Sequence, residues 1–306
     1  MKVTLATDKP FAPEAVFMIK DKIEDAGYEF GLLENYTDKQ DLIDTARNTD
    51  ALIIRSDMVT REVIEASSRL KIVVRAGAGY DNVDIQAAKE KGVVVMNTPG
   101  QNSNAVAELV FGMLVYVARG KFDGKSGTEL LGKRIGIHAY GNVGKRVAAI
   151  AKGFGMEVYA FDAFVPIQDI EKDGIKALES VDELYSTCQY ISLHIPANAH
   201  TKQSIDKKLL TKMPQDAVLI NTARKEVINE DDMLSFMNER LDFKYISDIE
   251  PDKKDEFESK FKSRIFFTPK KMGAQTEEAN VNAGIASAVQ IIKFFETGDT
   301  TFQVNK

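Results

Sequence analysis

Between Arg134 and Asp162 the chain reads RIGIHAYGNVGKRVAAIAKGFGMEVYAFD. A β-branched run, a glycine turn, a helical stretch, a second β-branched run and a closing acid follow one another. This order constrains the fold more than any other feature, because two parallel strands joined through a helix need that helix across the face of their sheet. The rest of the chain keeps the rhythm. VTLAT, ALIIRS (51–56), KIVVRAG (71–77) and VVVMN (93–97) read as strands, with helices over about 13–26 and 104–119. YISLHIP, AVLINTA, FKYISDIE and RIFFTP continue the strands, and a last helix spans about 277–296. The alternation predicts an α/β fold of two Rossmann-like, doubly wound parallel-sheet domains.

A chain of 306 residues has room for two such domains. Asn97-Thr98-Pro99-Gly100 is a turn-rich break, and the last helix is expected to return to the first domain. The expected layout is a discontinuous domain of 1–98 and 282–306 around an inserted domain of 99–281. A cleft between two such domains is a natural substrate site.

Composition excludes several classes. A net charge of −6 speaks against a nucleic-acid surface, while leaving room for local pockets that bind small anions. Cys188 is the only cysteine, so an intrachain disulfide or a cysteine-rich metal site is excluded, and no metal is expected. The lone thiol reads as core, in a reducing compartment. The N-terminus MKVTLATDKP turns polar too soon for a signal-peptide core. The longest apolar stretch, ELVFGMLVYVA (108–118), is too short to span a bilayer and reads as a buried helix started by Asn102, Ser103 and Asn104. A soluble, cytoplasmic protein with no membrane partner is expected.

The opening stretch also carries a chemical reading. A dinucleotide needs a tight turn, close backbone approach to its pyrophosphate and a free helix N-terminus. Gly141 and Gly144 stand where the second and third glycines of that fingerprint belong, and Ala139 takes the place of the first. Tyr140, Asn142 and Val143 complete the turn. Asp162 closes the second strand, where a carboxylate accepts from the ribose diol and repels a 2′-phosphate. NAD is favoured over NADP. His138, inside an apolar strand, reads as core, and His200 as a solvated loop residue.

Further segments join this one: RAGAGYDNVDIQAAKEKGVVVMNTPGQNSNAVAELVFGMLVYVAR (75–119), SLHIPANAHTK, LINTARKEVINEDDML (219–234), the strand ending at Asp248, and TPKKMGAQTEEA. On these motifs the chain resembles the D-isomer-specific 2-hydroxyacid dehydrogenases over nearly its whole length. It is most similar to their phosphoglycerate-oxidising branch, and within that to a subgroup with lysine in place of the catalytic histidine. The resemblance implies that residues 1–98 and 282–306 bind substrate and that 99–281 bind NAD. Arg224 matches the arginine that grips the substrate carboxylate. Gly77, Ala78 and Gly79 match the loop whose N–H groups bind the same carboxylate, and Arg55 and Arg75 match phosphate contacts. Thr222, Ala223 and Asp248 match the nicotinamide surroundings, and His194, Pro196 and Gly273 are further candidates for contact with the cofactor. A homodimer built on the helix around 108–118 is implied. So is the lack of a C-terminal regulatory domain, since the chain ends at Lys306.

There are departures from the family pattern. Lys225 follows the arginine where glycine is usual, and Glu250 is an open candidate for the acid that normally orients the histidine. The histidine itself is missing from TPKKMGAQT. Counting back from Gly273 puts Lys271 there, and counting from Pro269 puts Lys270 there; Lys271 is preferred because the glycine lies nearer the reacting atoms. An ordinary lysine is neutral in only about one molecule in 2,500 at pH 7. Burial and neighbouring positive charge are therefore expected around a lysine acting as base, along with an alkaline optimum for oxidation. The implied reaction is NAD-dependent oxidation of 3-phosphoglycerate to 3-phosphohydroxypyruvate, toward serine biosynthesis. Two alternatives stay open: a glyoxylate or hydroxypyruvate reductase, and a non-catalytic protein that senses NAD.

Overall fold

The computed structural model describes all 306 residues, Met1–Lys306. They divide into two compact units, Met1–Asn102 with Thr276–Lys306, and Ser103–Gln275. The first unit contains β1 (Lys2–Thr7), α1 (Pro13–Asp25), β2 (Glu29–Glu34), α2 (Lys39–Arg47), β3 (Ala51–Ile54), α3 (Arg61–Ala66), β4 (Ile72–Arg75), α4 (Ile85–Lys91) and β5 (Val94–Asn97). The second contains α5 (Ser103–Ala118), β6 (Arg134–His138), α6 (Asn142–Gly153), β7 (Glu157–Phe161), α7 (Ile167–Glu171), β8 (Lys176–Ala177), α8 (Val181–Thr187) and β9 (Tyr190–Leu193). It continues with α9 (Lys207–Leu210), β10 (Val218–Asn221), α10 (Glu230–Glu239), β11 (Lys244–Ser247), α11 (Lys254–Phe261) and β12 (Ile265–Phe267). The last helix, α12 (Glu277–Thr297), belongs to the first unit.

Both sheets are wholly parallel. The first has five strands in the order β2-β1-β3-β4-β5, with β1, β3 and β4 buried on both faces; ALII and the IVV of β4 are accordingly apolar without alternation, while β1 also buries Thr4 and Thr7. Ile19 and Ile23 of α1 and Ala283, Ala288 and Ile291 of α12 pack in one cluster with Val3, Ile53 and Val74 of the strands. The second sheet runs β12-β11-β10-β9-β6-β7-β8. The direction of winding reverses between β6 and β9, and in open α/β sheets ligands bind beyond the carboxyl ends of the strands at such a reversal. The α/β expectation of two doubly wound parallel sheets holds. No helix is long and apolar enough to cross a membrane. Cys188 is buried in the second unit's core, and burial pushes its thiol up to about 12.

Candidate active site

The register of the second sheet sets out a row of strand ends. His138 pairs with Phe161 and Leu193, Leu193 with Asn221, Asn221 with Ser247, and Ser247 with Phe267. One residue further along each strand come Asp162, Ala139, His194, Thr222, Asp248 and Thr268. Strands lie about 4.8 Å apart, so pairing alone aligns residues separated by more than a hundred positions in the chain.

At β6 the turn is tight. Ala139 has φ +84°, a left-handed conformation that normally calls for glycine. Tyr140 N–H donates to Asp162 Oδ2 at 2.6 Å, while Asp162 Oδ1 accepts from Phe164 and Val165 N–H at 2.8 and 3.0 Å. The acid therefore fixes its own loop as well as the turn. Gly141 caps α6 without a side chain, and a Cβ there would meet nothing within 4 Å, so the helix N-terminus stays open. A Cβ on Gly144 would lie 2.3 Å from the Ala139 carbonyl oxygen, so only glycine lets α6 sit this close to β6.

His138 is buried, with Nδ1 3.3 Å from the Tyr185 hydroxyl, and burial lowers its pKa to about 4 against an opposing pull from Asp162. His194 Nε2 lies 2.9 Å from Ser192 Oγ; burial, then the neighbouring His138, lowers its pKa to about 3. Both rings are neutral at pH 7. Pro196 and His200 are exposed. Further along the row, Thr222 Oγ1 and Asp248 Oδ1 are buried polar atoms without a hydrogen-bond partner. Asp248 Oδ2 accepts from Gly273 N–H at 2.9 Å. Burial raises the Asp248 pKa, against opposing contributions from Lys271, from the Gly273 N–H and from Arg224.

The turn after β10 brings two cations together. Arg224 Nη1 donates to the Ala223 carbonyl at 3.0 Å, and Lys271 Nζ donates to the same oxygen at 2.6 Å. Lys270 is exposed and only its carbonyl takes part, accepting from Thr268 Oγ1 at 2.7 Å. Lys271 is exposed, where the sequence leads one to expect burial around a lysine acting as base. Glu250 is half-buried and ion-paired with Lys254 at 2.5 Å, and Lys225 pairs with Asp252. Asn221 was not singled out by its sequence context. It is fully buried, its Oδ1 accepts from Ala223 N–H at 3.0 Å, and its Nδ2 donates to the Arg224 carbonyl at 3.0 Å.

In the first unit, Arg55 is held by the Lys9 and Pro10 carbonyls, each at 3.1 Å, and by Asn280 Oδ1 at 2.8 Å, over the ring of Phe11. Arg75 Nε donates to the Arg55 carbonyl at 3.0 Å, and its guanidinium lies against Gly77. A Cβ at Gly77, which has φ +150°, would fall 1.6 Å from Arg75 Nη1. Ala78 is exposed and Gly79 half-buried, and the Ala78 carbonyl accepts from Asn97 Nδ2 at 2.6 Å.

These residues fit a dinucleotide: an open helix N-terminus behind a glycine turn, an acid at the end of the next strand, and two unpartnered buried oxygens further along the row. Residues 105–269 match the family model described as D-isomer specific 2-hydroxyacid dehydrogenase, NAD binding domain. The chain is 34% identical to a hydroxypyruvate reductase of Thermotoga maritima, over 93% of this chain and 95% of that one. It is also 34% identical to a D-3-phosphoglycerate dehydrogenase of Methanocaldococcus jannaschii, over 83% of this chain but only 51% of that protein. The chain thus spans about half the length of several of the curated relatives it matches. Among solved structures, an NAD+-bound 3-phosphoglycerate dehydrogenase of Entamoeba histolytica superposes with TM-score 0.89 and 45% identity, over 100% of this chain and 99% of that one. With more than half its length matched to the family's NAD-binding domain and a relative aligned along most of both chains, this chain belongs to the D-isomer-specific 2-hydroxyacid dehydrogenases, and NAD is its cofactor.

Proposed function

We propose that this chain is an NAD-dependent dehydrogenase that oxidises D-3-phosphoglycerate to 3-phosphohydroxypyruvate, feeding serine biosynthesis, with Arg224 and Lys271 at its catalytic centre. The observation that carries the reading is the meeting of the Arg224 guanidinium and the Lys271 ammonium at one carbonyl oxygen. Oxidation at C2 of a hydroxy acid needs a grip on the carboxylate and a group that takes the hydroxyl proton. The planar guanidinium suits the first task, through two parallel hydrogen bonds. The neutral amine of Lys271 suits the second; in the reverse direction its ammonium returns the proton to the keto oxygen. NAD+, when bound, supplies the hydride acceptor. Asp248 Oδ1 is free to accept from the carboxamide of the nicotinamide, with Thr222 Oγ1 one strand away. The N–H groups of Gly141, Asn142 and Val143 would hold the pyrophosphate, and Asp162 would accept from the ribose. Ala78 and Gly79 contribute N–H donors to the substrate carboxylate, whereas the Gly77 N–H expected to join them already donates to the Arg75 carbonyl at 2.8 Å; Arg55 and Arg75 serve the phosphate.

A second reading, reduction of an unphosphorylated 2-oxo acid, is favoured by one feature. Three of the Arg55 contacts are already made within the first unit, which leaves that guanidinium few donors for a phosphate. NADH formation with D-3-phosphoglycerate and with unphosphorylated D-2-hydroxy acids separates the two. The expected outcome is a clear preference for the phosphorylated acid. Arg55→Ala should lower kcat/KM about 10- to 100-fold for that substrate alone, the worth of one hydrogen bond to a charged group. Faster turnover of unphosphorylated acids would favour the reductase reading, and no turnover of any of them would remove the enzymatic one.

A further inference from the structure

The amine of a lysine ends a flexible stem, and holding it in one direction costs up to about 2 kcal/mol of side-chain entropy. Something must aim it. We propose that the main-chain carbonyl of Ala223 is the orienting acceptor for Lys271, and that Asn221 is the positioning residue that fixes this carbonyl. The inference rests on the reading of Lys271 as the acid–base group.

Three observations support it. Lys271 Nζ lies 2.6 Å from the Ala223 oxygen, whereas Glu250, the acid available nearby in the sequence, is engaged by Lys254. The peptide unit that carries this oxygen is clamped on both sides: Asn221 Oδ1 holds the N–H of Ala223, and Asn221 Nδ2 holds the carbonyl of Arg224. Asn221 is itself anchored as the last residue of β10, its own carbonyl accepting from Ser247 Oγ at 2.9 Å and from Asp248 N–H at 3.1 Å. A fully buried amide in an otherwise apolar strand is costly unless all its bonds are made, and here its bonds define the turn.

The chemistry favours a carbonyl over a carboxylate. A carboxylate as the orienting acceptor would add to the pull that the Asp248 charge already exerts on Lys271 and stabilise the ammonium, which cannot accept a proton. A carbonyl accepts one N–H from the ammonium and from the neutral amine alike, so the aim of the side chain is the same before and after proton transfer. Arg224 Nη1 donates to the same oxygen at 3.0 Å, but its carboxylate grip is set by the planar guanidinium fork, so the loss expected from Asn221→Ala is the loss of aim at Lys271.

A double-mutant cycle tests the idea. Lys271→Ala, Asn221→Ala and the double variant are compared by kcat, KM and NADH affinity. If Asn221 acts through Lys271, Asn221→Ala alone lowers kcat about 10- to 100-fold, as a misplacement near 1 Å does. In the Lys271→Ala background it should lower kcat by less than about threefold, with NADH affinity unchanged in both. The same loss in both backgrounds, or none in either, would overturn the proposal. Glu250→Gln provides an independent arm and is expected to keep kcat within about twofold; a fall of tenfold or more would make the carboxylate the orienting group instead. Should Asn221→Ala fail to fold, Asn221→Ser carries the same cycle. Full turnover in Lys271→Ala would be a different failure, that of the acid–base reading itself.

Discussion

Single residues carry the costs of this fold. Ala139 occupies a left-handed conformation at the first position of the glycine turn, a strain of about 1–2 kcal/mol for a residue with a Cβ. Glycine there gives back about 0.5–1 kcal/mol of that as lost backbone freedom. Ala139→Gly should therefore raise unfolding stability by about 0.5–1 kcal/mol, read from the urea midpoint; a loss of stability would mean that the methyl group packs usefully. His138 carries a cost of another kind. The unfolded chain takes up its proton near 6.5, but the folded chain refuses it until about 4. Stability should thus fall as the pH drops across that window, by on the order of 3 kcal/mol for His138 alone. Asp248, whose pKa burial raises, works in the opposite direction, since its folded form gains a proton earlier. His138→Phe should flatten the slope of stability between pH 6.5 and 4, and an unchanged slope would show that the ring does not titrate as a buried base.

Elements divide into those the sequence announces and those it conceals. The doubly buried strands β1, β3, β4, β6, β9 and β10 are legible because burial on both faces leaves short runs dominated by apolar and β-branched residues. The edge strand β2, EFGLLE, has no fully buried residue and a glycine in its middle, so neither a run nor an alternation marks it. β8 has two residues and exists only through pairing with β7. The site shows the same division. Gly141, Gly144, Asp162 and Arg224 stand at positions where one residue type does one job. The choice between Lys270 and Lys271 depends on which way a side chain turns after β12, and counting from two landmarks gives two answers. The Ala223 carbonyl is invisible to any reading of side chains. At this scale Gly144 is the sharpest probe: Gly144→Ala sets a methyl against the Ala139 carbonyl, where no flexible side chain can yield. It should cost about 1–3 kcal/mol through the forced separation of α6 from β6, and weaken NADH binding with it. Wild-type stability and affinity together would mean that α6 need not lie so close.

At the scale of the whole molecule, α5 raises the question of assembly. Gly112 lies exposed in the middle of this largely apolar helix, and a Cβ there would meet nothing within 4 Å. A glycine in such a place costs about 1 kcal/mol relative to alanine, and no close contact at its Cβ position accounts for it. Close approach of a second copy would supply one. Light scattering at micromolar concentration should give twice the mass of the chain, and Gly112→Arg should give the mass of the chain itself; a monomeric wild type would contradict the dimer. The central claim is that this chain oxidises a 2-hydroxy acid with Lys271 as the proton-transfer group, and one measurement tests it most directly: NADH formation from D-3-phosphoglycerate by the wild type, Lys271→Ala, Lys270→Ala and the double variant. Loss of a positioned proton-transfer group costs about 10²–10⁴-fold, so Lys271→Ala and the double variant should fall by that factor while Lys270→Ala stays close to wild type. Near-normal turnover in both single variants and in the double variant would contradict the account.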